Sequence, residues 1–101
     1  MDRYYELNEI TFAWNEEKAR KNLSNHGVTF EQAAEAFFDP FVIFVDASRN
    51  FEQRDGIIGK TIHDQLLFVV HLLVEDKLIR IISARKATKQ EMRDYYEHQH
   101  P

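Results

Sequence analysis

Three polar side chains recur every four residues in the first third of the chain, at Lys18, Asn22 and His26. This spacing places them along one face of an α-helix. Histidine is the residue type that exchanges protons near neutral pH, so His26 is the best acid–base candidate, and Lys18 could bind an anionic substrate. The alternative is a solvated helix face whose terminal histidine contacts the last carbonyl groups.

Cationic side chains gather in one strand-like segment near the C-terminus. Arg80 interrupts the apolar run at residues 78–82, where a charge must reach solvent, a carboxylate or a ligand anion. Arg85 and Lys86 follow. In a regular strand Arg80 and Lys86 share one face and Arg85 lies on the other. All three can therefore grip one phosphate only if the strand bulges or ends before Arg85.

Glu52 and Arg54 are two residues apart, so they share a face if their segment is extended. They could form an ion pair or half of a site. Arg85 has an equally good structural interpretation, which is a buried pairing with Glu52 or Glu91.

The sequence offers little for a metal ion. Cysteine is absent, which removes thiolate catalysis, disulfides and cysteine-ligated zinc. His63 and His71 have no second histidine at ligand spacing, and His98 and His100 lie in a terminal tail. We therefore expect neither a metal nor another cofactor.

Composition favours a single domain over residues 1–101, because 44% hydrophobic residues in a chain this short suffice for one core. The net charge is −4, yet residues 77–93 carry six Lys or Arg and one acid. A local anion-binding site or a solvated charged face would explain this basic stretch. The charged N-terminus, the lack of cysteine and the short apolar runs predict a cytoplasmic protein without a membrane segment.

Elements that must position these side chains follow from periodicity and capping signals. Asn15 and Gly27 delimit the first helix, and the pairs Thr29/Gln32 and Thr88/Glu91 predict capping boxes for two more. Helices are predicted at about 16–25, from 29 to before 39, and at 88–97; strands are predicted at 10–14, 41–45, 51–54 with 57–62, 66–73 and 78–84. The order β-α-α-β-β-β-β-α predicts an α+β fold, with helices packed on one face of a mostly antiparallel sheet that is centred on the last hairpin.

The string Arg-Ile-Ile-Ser-Ala-Arg-Lys-Ala-Thr at residues 80–88, followed by Glu91 and Tyr95, resembles the signature of the BrnT family of toxins. The resemblance covers about residues 11–96. Further matching residues are Phe12-Ala13-Trp14-Asn15, Lys18-Ala19, Asn22, His26-Gly27-Val28, Phe30, Ala33, Phe37-Phe38-Asp39-Pro40, Glu52, Arg54 and Gly59.

Resemblance to this family implies a RelE-like fold, RNA cleavage that inhibits translation and growth, and neutralisation by a BrnA-like antitoxin with a ribbon-helix-helix region. It also implies a heterotetramer of two toxins and two antitoxins, which reaches operator DNA only through the antitoxin. The overall acidity departs from the basic character common among RelE-like toxins.

Metal-independent RNA cleavage needs a group that takes the 2′-hydroxyl proton, a group that protonates the leaving 5′-oxygen, and cations that stabilise the phosphorane. We assign proton transfer to His26 or Glu52. Phosphate stabilisation falls to Arg54 and Arg80, with Arg85 as a third candidate, because a guanidinium meets phosphate oxygens in a bidentate way. Lys18 and Lys86 are assigned to substrate binding.

Two other functions fit the residues. One is a catalytically silent nucleic-acid-binding or corepressor module that holds phosphate with the same cations. The other is an interaction domain whose open sheet face docks a partner, which is compatible with a toxin.

Overall fold

A computed structural model describes residues 1–99. Over this range the elements are β1 (Asp2–Leu7), β2 (Ile10–Asn15), α1 (Glu16–His26), α2 (Phe30–Ala36), β3 (Ile43–Asp46), β4 (Asp55–Lys60), β5 (Leu66–Glu75), β6 (Leu78–Lys86) and α3 (Lys89–Gln99). The sheet order is β1-β2-β6-β5-β4-β3, and its neighbours are antiparallel except for the parallel pair β2 and β6. The α+β class and the central β5–β6 hairpin are therefore confirmed.

The predicted caps begin and end the helices. The Asn15 side chain accepts a hydrogen bond of 3.0 Å from the backbone N–H of Lys18 at the start of α1. Gly27 follows α1 with φ of 68°, a left-handed conformation that glycine adopts without strain. Reciprocal capping boxes begin the other two helices, at Thr29 with Gln32 and at Thr88 with Glu91.

The main core lies between the sheet and the pair α1 and α2. Its largest fully buried members include Phe12, Trp14 and Phe30. Gly59 allows α2 to approach β4 closely, because a Cβ atom there would lie 2.4 Å from the Ala36 carbonyl oxygen. Helices α1 and α2 thus cover one face of the sheet, which leaves the other face and the ends of the sheet as places for a site.

The N-terminal strand β1 was not predicted. Its side chains are mostly exposed, so the alternation of apolar and polar residues that marks a half-buried strand is weak. Backbone pairing with β2 over six residue pairs, from Asp2 with Asn15 to Leu7 with Ile10, defines this edge strand instead.

Helix α3 lies on the opposite face from α1 and α2, which corrects the prediction that all helices share one face. Its buried Tyr95 packs with Ile58 and Leu66, whereas Ile57 and Leu67 belong to the main core.

The predicted strand at 51–54 is also wrong, because this segment forms only an isolated bridge between Arg49 and Glu52. Turn geometry at residues 49–52 replaces the extended structure there.

Candidate functional site

A cavity of about 670 Å³ opens on the sheet face that α1 and α2 leave uncovered, near the end of β6. Phe68, Val70 and Arg85 line it from this face, since they alternate along their strands with core residues. The cavity brings together four of the predicted site residues, which are His26, Glu52, Arg54 and Arg85.

A bulge in β6 shapes the floor of this cavity. Val70 of β5 pairs with Ser83, whereas the next residue, His71, pairs with Ile81. Ile82 therefore has no partner residue on β5, and it lines the cavity. A bulge of this kind adds one residue to a strand and re-aims the side chains that follow it.

The extra residue decides which arginines share a face. Ile81 and Ala84 are three residues apart, yet both lie in the main core. Arg80 and Arg85 consequently both lie on the face opposite α1 and α2, although regular alternation would separate them. From the sequence, these cations could act together only if the strand bulged or ended early. The observed bulge places Arg80 and Arg85 on one side of the sheet.

Arg85 is held in place from two sides. Its guanidinium donates hydrogen bonds of 2.7 and 2.9 Å to the carboxylate oxygens of Glu91 and lies 4.5 Å from the ring centroid of Phe68. It also donates to the Lys86 carbonyl oxygen at 3.3 Å. A guanidinium has five N–H donors, so these three bonds leave two for a ligand. Arg85 thus pairs with Glu91, one of the two predicted partners, but the pair is partly exposed and not buried, and Arg85 also lines the cavity.

Glu91 remains a charged partner for Arg85. Burial disfavours its ionised form, but hydrogen bonds from Arg85 and Thr88 outweigh that effect and lower the pKa of the Glu91 carboxyl. The pair therefore keeps its charges at neutral pH and fixes the orientation of the Arg85 fork.

Glu52 and Arg54 form an ion pair of 2.7 Å at the cavity wall. The Glu52 side chain is 69% exposed and that of Arg54 is 27% exposed, so the pair is accessible to a ligand. His26, which is also exposed, lines the same cavity from the last position of α1. The site therefore brings the predicted proton-transfer candidates, His26 and Glu52, and the predicted arginines, Arg54 and Arg85, around one space.

Asp46 is a cavity residue that the sequence did not single out. The Ser48 side chain and backbone N–H donate hydrogen bonds that lower the pKa of the Asp46 carboxyl, with a backbone bond of 2.8 Å. A carboxylate with a lowered pKa is a weak base, so Asp46 is better suited to holding the loop at residues 47–54 than to proton transfer.

Asn22 has a structural role that its position on one helix face with Lys18 and His26 did not reveal. It is 6% exposed, and its side chain donates hydrogen bonds to the carbonyl oxygens of Val28 and Ala84 at 3.0 and 2.8 Å. It also accepts one from the Ala84 N–H at 3.1 Å. These bonds hold β6 next to Arg85 in a position where β2 no longer pairs with it.

Three predicted residues lie outside this cavity. Lys18 and Lys86 are exposed and do not line it. Arg80 shares the open face but donates two hydrogen bonds, of 3.0 and 3.1 Å, to the Asp2 carboxylate of β1. The Asp2 carboxylate thus occupies the bidentate position that a phosphate would take, so Arg80 has the geometry of a structural ion pair.

Arg80→Ala should therefore have a small effect. The side chains of Arg80 and Asp2 are 33% and 40% exposed, and ion pairs this accessible to water add little stability. We expect the melting temperature to fall by a few degrees at most and RNA cleavage to stay within about threefold of the original rate. A loss of cleavage of about a hundredfold with an unchanged melting temperature would instead place Arg80 in the catalytic site.

Across residues 1–99 no group of three His, Asp or Glu side chains is arranged to hold a metal ion. His71 lies buried in β5, and His100 falls outside the described residues. No helix within the same range is long and apolar enough to cross a membrane.

The fold and the cavity define a class of protein, which is a small α+β domain whose open sheet face carries an arginine-lined, histidine-flanked site suited to phosphate chemistry. Residues 14–91 match the model of the family described as the ribonuclease toxin, BrnT, of type II toxin–antitoxin systems. This match spans most of the chain. The chain therefore belongs to the BrnT family of ribonuclease toxins.

Family membership assigns the chain endoribonuclease activity, an RNA substrate and an antitoxin partner. The fold is similar to the crystal structure of the Brucella abortus ribonuclease toxin, BrnT, with a TM-score of 0.51 and 22% sequence identity. That likeness covers 75% of this chain and 94% of the Brucella chain. No curated protein sequence matches the chain.

Proposed function

We propose that the cavity at the end of β6 is the RNA-cleaving site of this toxin and that cleavage needs no metal ion. One observation carries the proposal: a single cavity collects His26, Glu52, Arg54 and Arg85 from separate parts of the chain. Proton transfer and phosphate stabilisation are the two tasks of metal-independent RNA cleavage, and these four side chains cover both.

In this mechanism the 2′-hydroxyl of RNA attacks the adjacent phosphorus, and the bond from phosphorus to the 5′-oxygen breaks. One group accepts the 2′-hydroxyl proton, and a second donates a proton to the leaving 5′-oxygen. His26 and Glu52 are the accessible cavity side chains suited to these transfers. The products are a 2′,3′-cyclic phosphate and a 5′-hydroxyl.

Arg54 and Arg85 stabilise the negative charge that develops on the phosphorane. The bonds of Arg85 to Glu91 orient it before RNA arrives, so little reorganisation is needed during the reaction. Lys18 and Lys86 bind RNA phosphates away from the scissile bond in this proposal, and Arg80 maintains the pairing of β1 through Asp2.

Cleavage should persist in EDTA at close to its original rate, since the proposed steps use only side chains of the chain. The measurement is digestion of single-stranded RNA by purified toxin with and without the chelator, followed by analysis of the product ends. Cyclic phosphate ends are expected in both samples. Loss of activity in EDTA that one divalent ion restores, with 3′-hydroxyl products, would overturn the metal-independent mechanism.

The antitoxin neutralises the toxin in a complex of two toxins and two antitoxins, and this complex contacts operator DNA through the antitoxin. The open sheet face and its cations need an apolar or anionic cover, which supports this part of the proposal. The reducing interior of the cell is the compartment in which a cysteine-free toxin would meet cellular RNA.

Expression in bacteria tests the toxin function directly. Induction of this chain alone should arrest growth, and co-expression with the product of the neighbouring reading frame should restore growth. Light scattering on the co-purified proteins then gives the stoichiometry. If the chain neither arrests growth nor binds the neighbouring gene product, the toxin proposal fails and the silent binding module replaces it.

A further inference from the structure

Phe51 lies at the tip of the turn that forms one wall of the cavity. Its neighbours Asn50 and Glu52 line the cavity, whereas the Phe51 side chain is fully exposed, at 111% of its reference value. A solvent-exposed aromatic ring therefore lies beside the cavity in which, under the proposed function, the RNA phosphates bind. Exposed aromatic rings are the surfaces on which proteins stack unpaired bases of single-stranded RNA.

The backbone of this turn disfavours phenylalanine. Arg49 and Glu52 exchange two backbone hydrogen bonds, of 3.1 and 2.7 Å, which closes a two-residue loop. Both loop residues have positive φ, 47° at Asn50 and 66° at Phe51. Asparagine tolerates this conformation, but the second position of such a loop strongly favours glycine. Phe51 is thus a large side chain at a turn position that favours glycine, and it contributes nothing to the core.

Strained residues of this kind cluster at binding and catalytic sites, where the surrounding structure maintains them. Arg49 and Arg54 on either side of the turn also line the cavity, and Arg54 bonds Glu52 there at 2.7 Å. A cationic track for the backbone with an aromatic platform for bases is the general arrangement of single-stranded nucleic-acid sites.

We propose that Phe51 is the stacking platform of a nucleobase subsite, which binds an unpaired base of the RNA beside the scissile phosphate. This inference rests on the proposed function for the position of the RNA, but it concerns binding and not the chemical step. Stacking accepts every base, so the subsite selects single-stranded over paired RNA.

Phe51→Gly separates this role from a structural one, because glycine suits the turn and lacks the ring. We expect its melting temperature to equal or exceed that of the original protein. Its Kd for RNA should rise about fivefold to 150-fold, the range for loss of one stacked base. The probe is a fluorescein-labelled, 2′-O-methylated single-stranded RNA of mixed sequence, which cannot be cleaved, and the readout is fluorescence anisotropy.

Two further variants control the result. Phe51→Trp should keep the Kd within about threefold, and RNA should quench its indole fluorescence, since the native Trp14 is buried. Phe44→Ala removes another exposed phenylalanine, 75% exposed and outside the cavity, and should leave the Kd unchanged.

The subsite would be overturned by an unchanged Kd for Phe51→Gly, by a rise in Kd that only follows a lower melting temperature, or by weaker binding of the antitoxin with unchanged binding of RNA. Absence of RNA binding by the original protein would also overturn it. Normal binding without cleavage of unmodified RNA would contradict the proposed catalytic site and leave the stacking platform supported.

Discussion

Replacement of Arg85 by alanine should lower the rate of RNA cleavage by about two to three orders of magnitude, the scale for loss of one preorganised transition-state donor. Glu91 and Phe68 fix the guanidinium before substrate binds, and its two remaining donors are free for phosphate oxygens. Alanine removes both the charge and the donors. The measurement is the single-turnover cleavage rate at saturating enzyme.

Arg85→Lys keeps the charge but loses the planar fork, so it should recover only part of the rate. Arg93→Ala is the matched control, because Arg93 is an exposed arginine of α3 that bonds Gln90 and does not line the cavity. It should cleave RNA at the original rate. Equal losses in the Arg85 and Arg93 variants would indicate that overall charge, and not the site, determines the rate.

The stability of the Arg85 variant distinguishes catalysis from folding. The Arg85 side chain is 37% exposed, so loss of its pair with Glu91 should cost about 1 kcal/mol. For a domain of this size that lowers the melting temperature by about 4–8 °C. If the folded fraction of Arg85→Ala still cleaves at the original rate, the residue is purely structural and the proposed assignment is wrong.

Capping signals and turn residues predicted much of the fold from the sequence. Asn15, Gly27 and the capping boxes are local patterns in which neighbouring residues satisfy each other's backbone groups, so the helix ends could be located without tertiary information. The central hairpin was also predicted from the sequence, because two apolar, β-branched runs separated by only residues 74–77 favour an antiparallel pair of strands.

Features that depend on two distant segments were not predictable in this way. Prediction of the bulge at Ile82 requires knowledge of which β5 residue pairs with which β6 residue. The sequence alone indicates only that the arginines can share a face if the strand bulges. Exposed β1 lacks an apolar pattern and depends on backbone pairing with β2. Its Asp2 then provides a partner for Arg80, which local reasoning could not identify.

Asn22 is the clearest case of a residue whose role only the structure shows. In sequence it belongs to a stripe with Lys18 and His26, which indicates a solvated or catalytic helix face. In the structure it is buried and bonds both backbone groups of Ala84, 62 positions away. Its amide replaces the strand partner that β6 lacks beyond Arg80. Such a side chain stabilises the site without touching substrate.

Asn22→Ala should therefore be the most destabilising of these substitutions. The substitution leaves the Ala84 N–H, the Ala84 carbonyl and the Val28 carbonyl without their hydrogen-bond partner. Each buried group without a partner costs about 1–3 kcal/mol. A total loss of about 3 kcal/mol or more should lower the melting temperature by at least about 12 °C. Thermal unfolding followed by circular dichroism measures this effect.

Asn25→Ala is the matched control, since Asn25 lies three residues further along α1 and is exposed. Its melting temperature should change little. Asn22→Asp keeps the acceptor for the Ala84 N–H but loses both donated bonds and buries a charge, so it should be no more stable than Asn22→Ala. Cleavage by the folded Asn22→Ala protein at low temperature should also fall, because β6 next to Arg85 is no longer fixed to α1. A melting temperature for Asn22→Ala as high as that of Asn25→Ala would show that Asn22 does not hold β6, and the account of how the site is positioned would have to change.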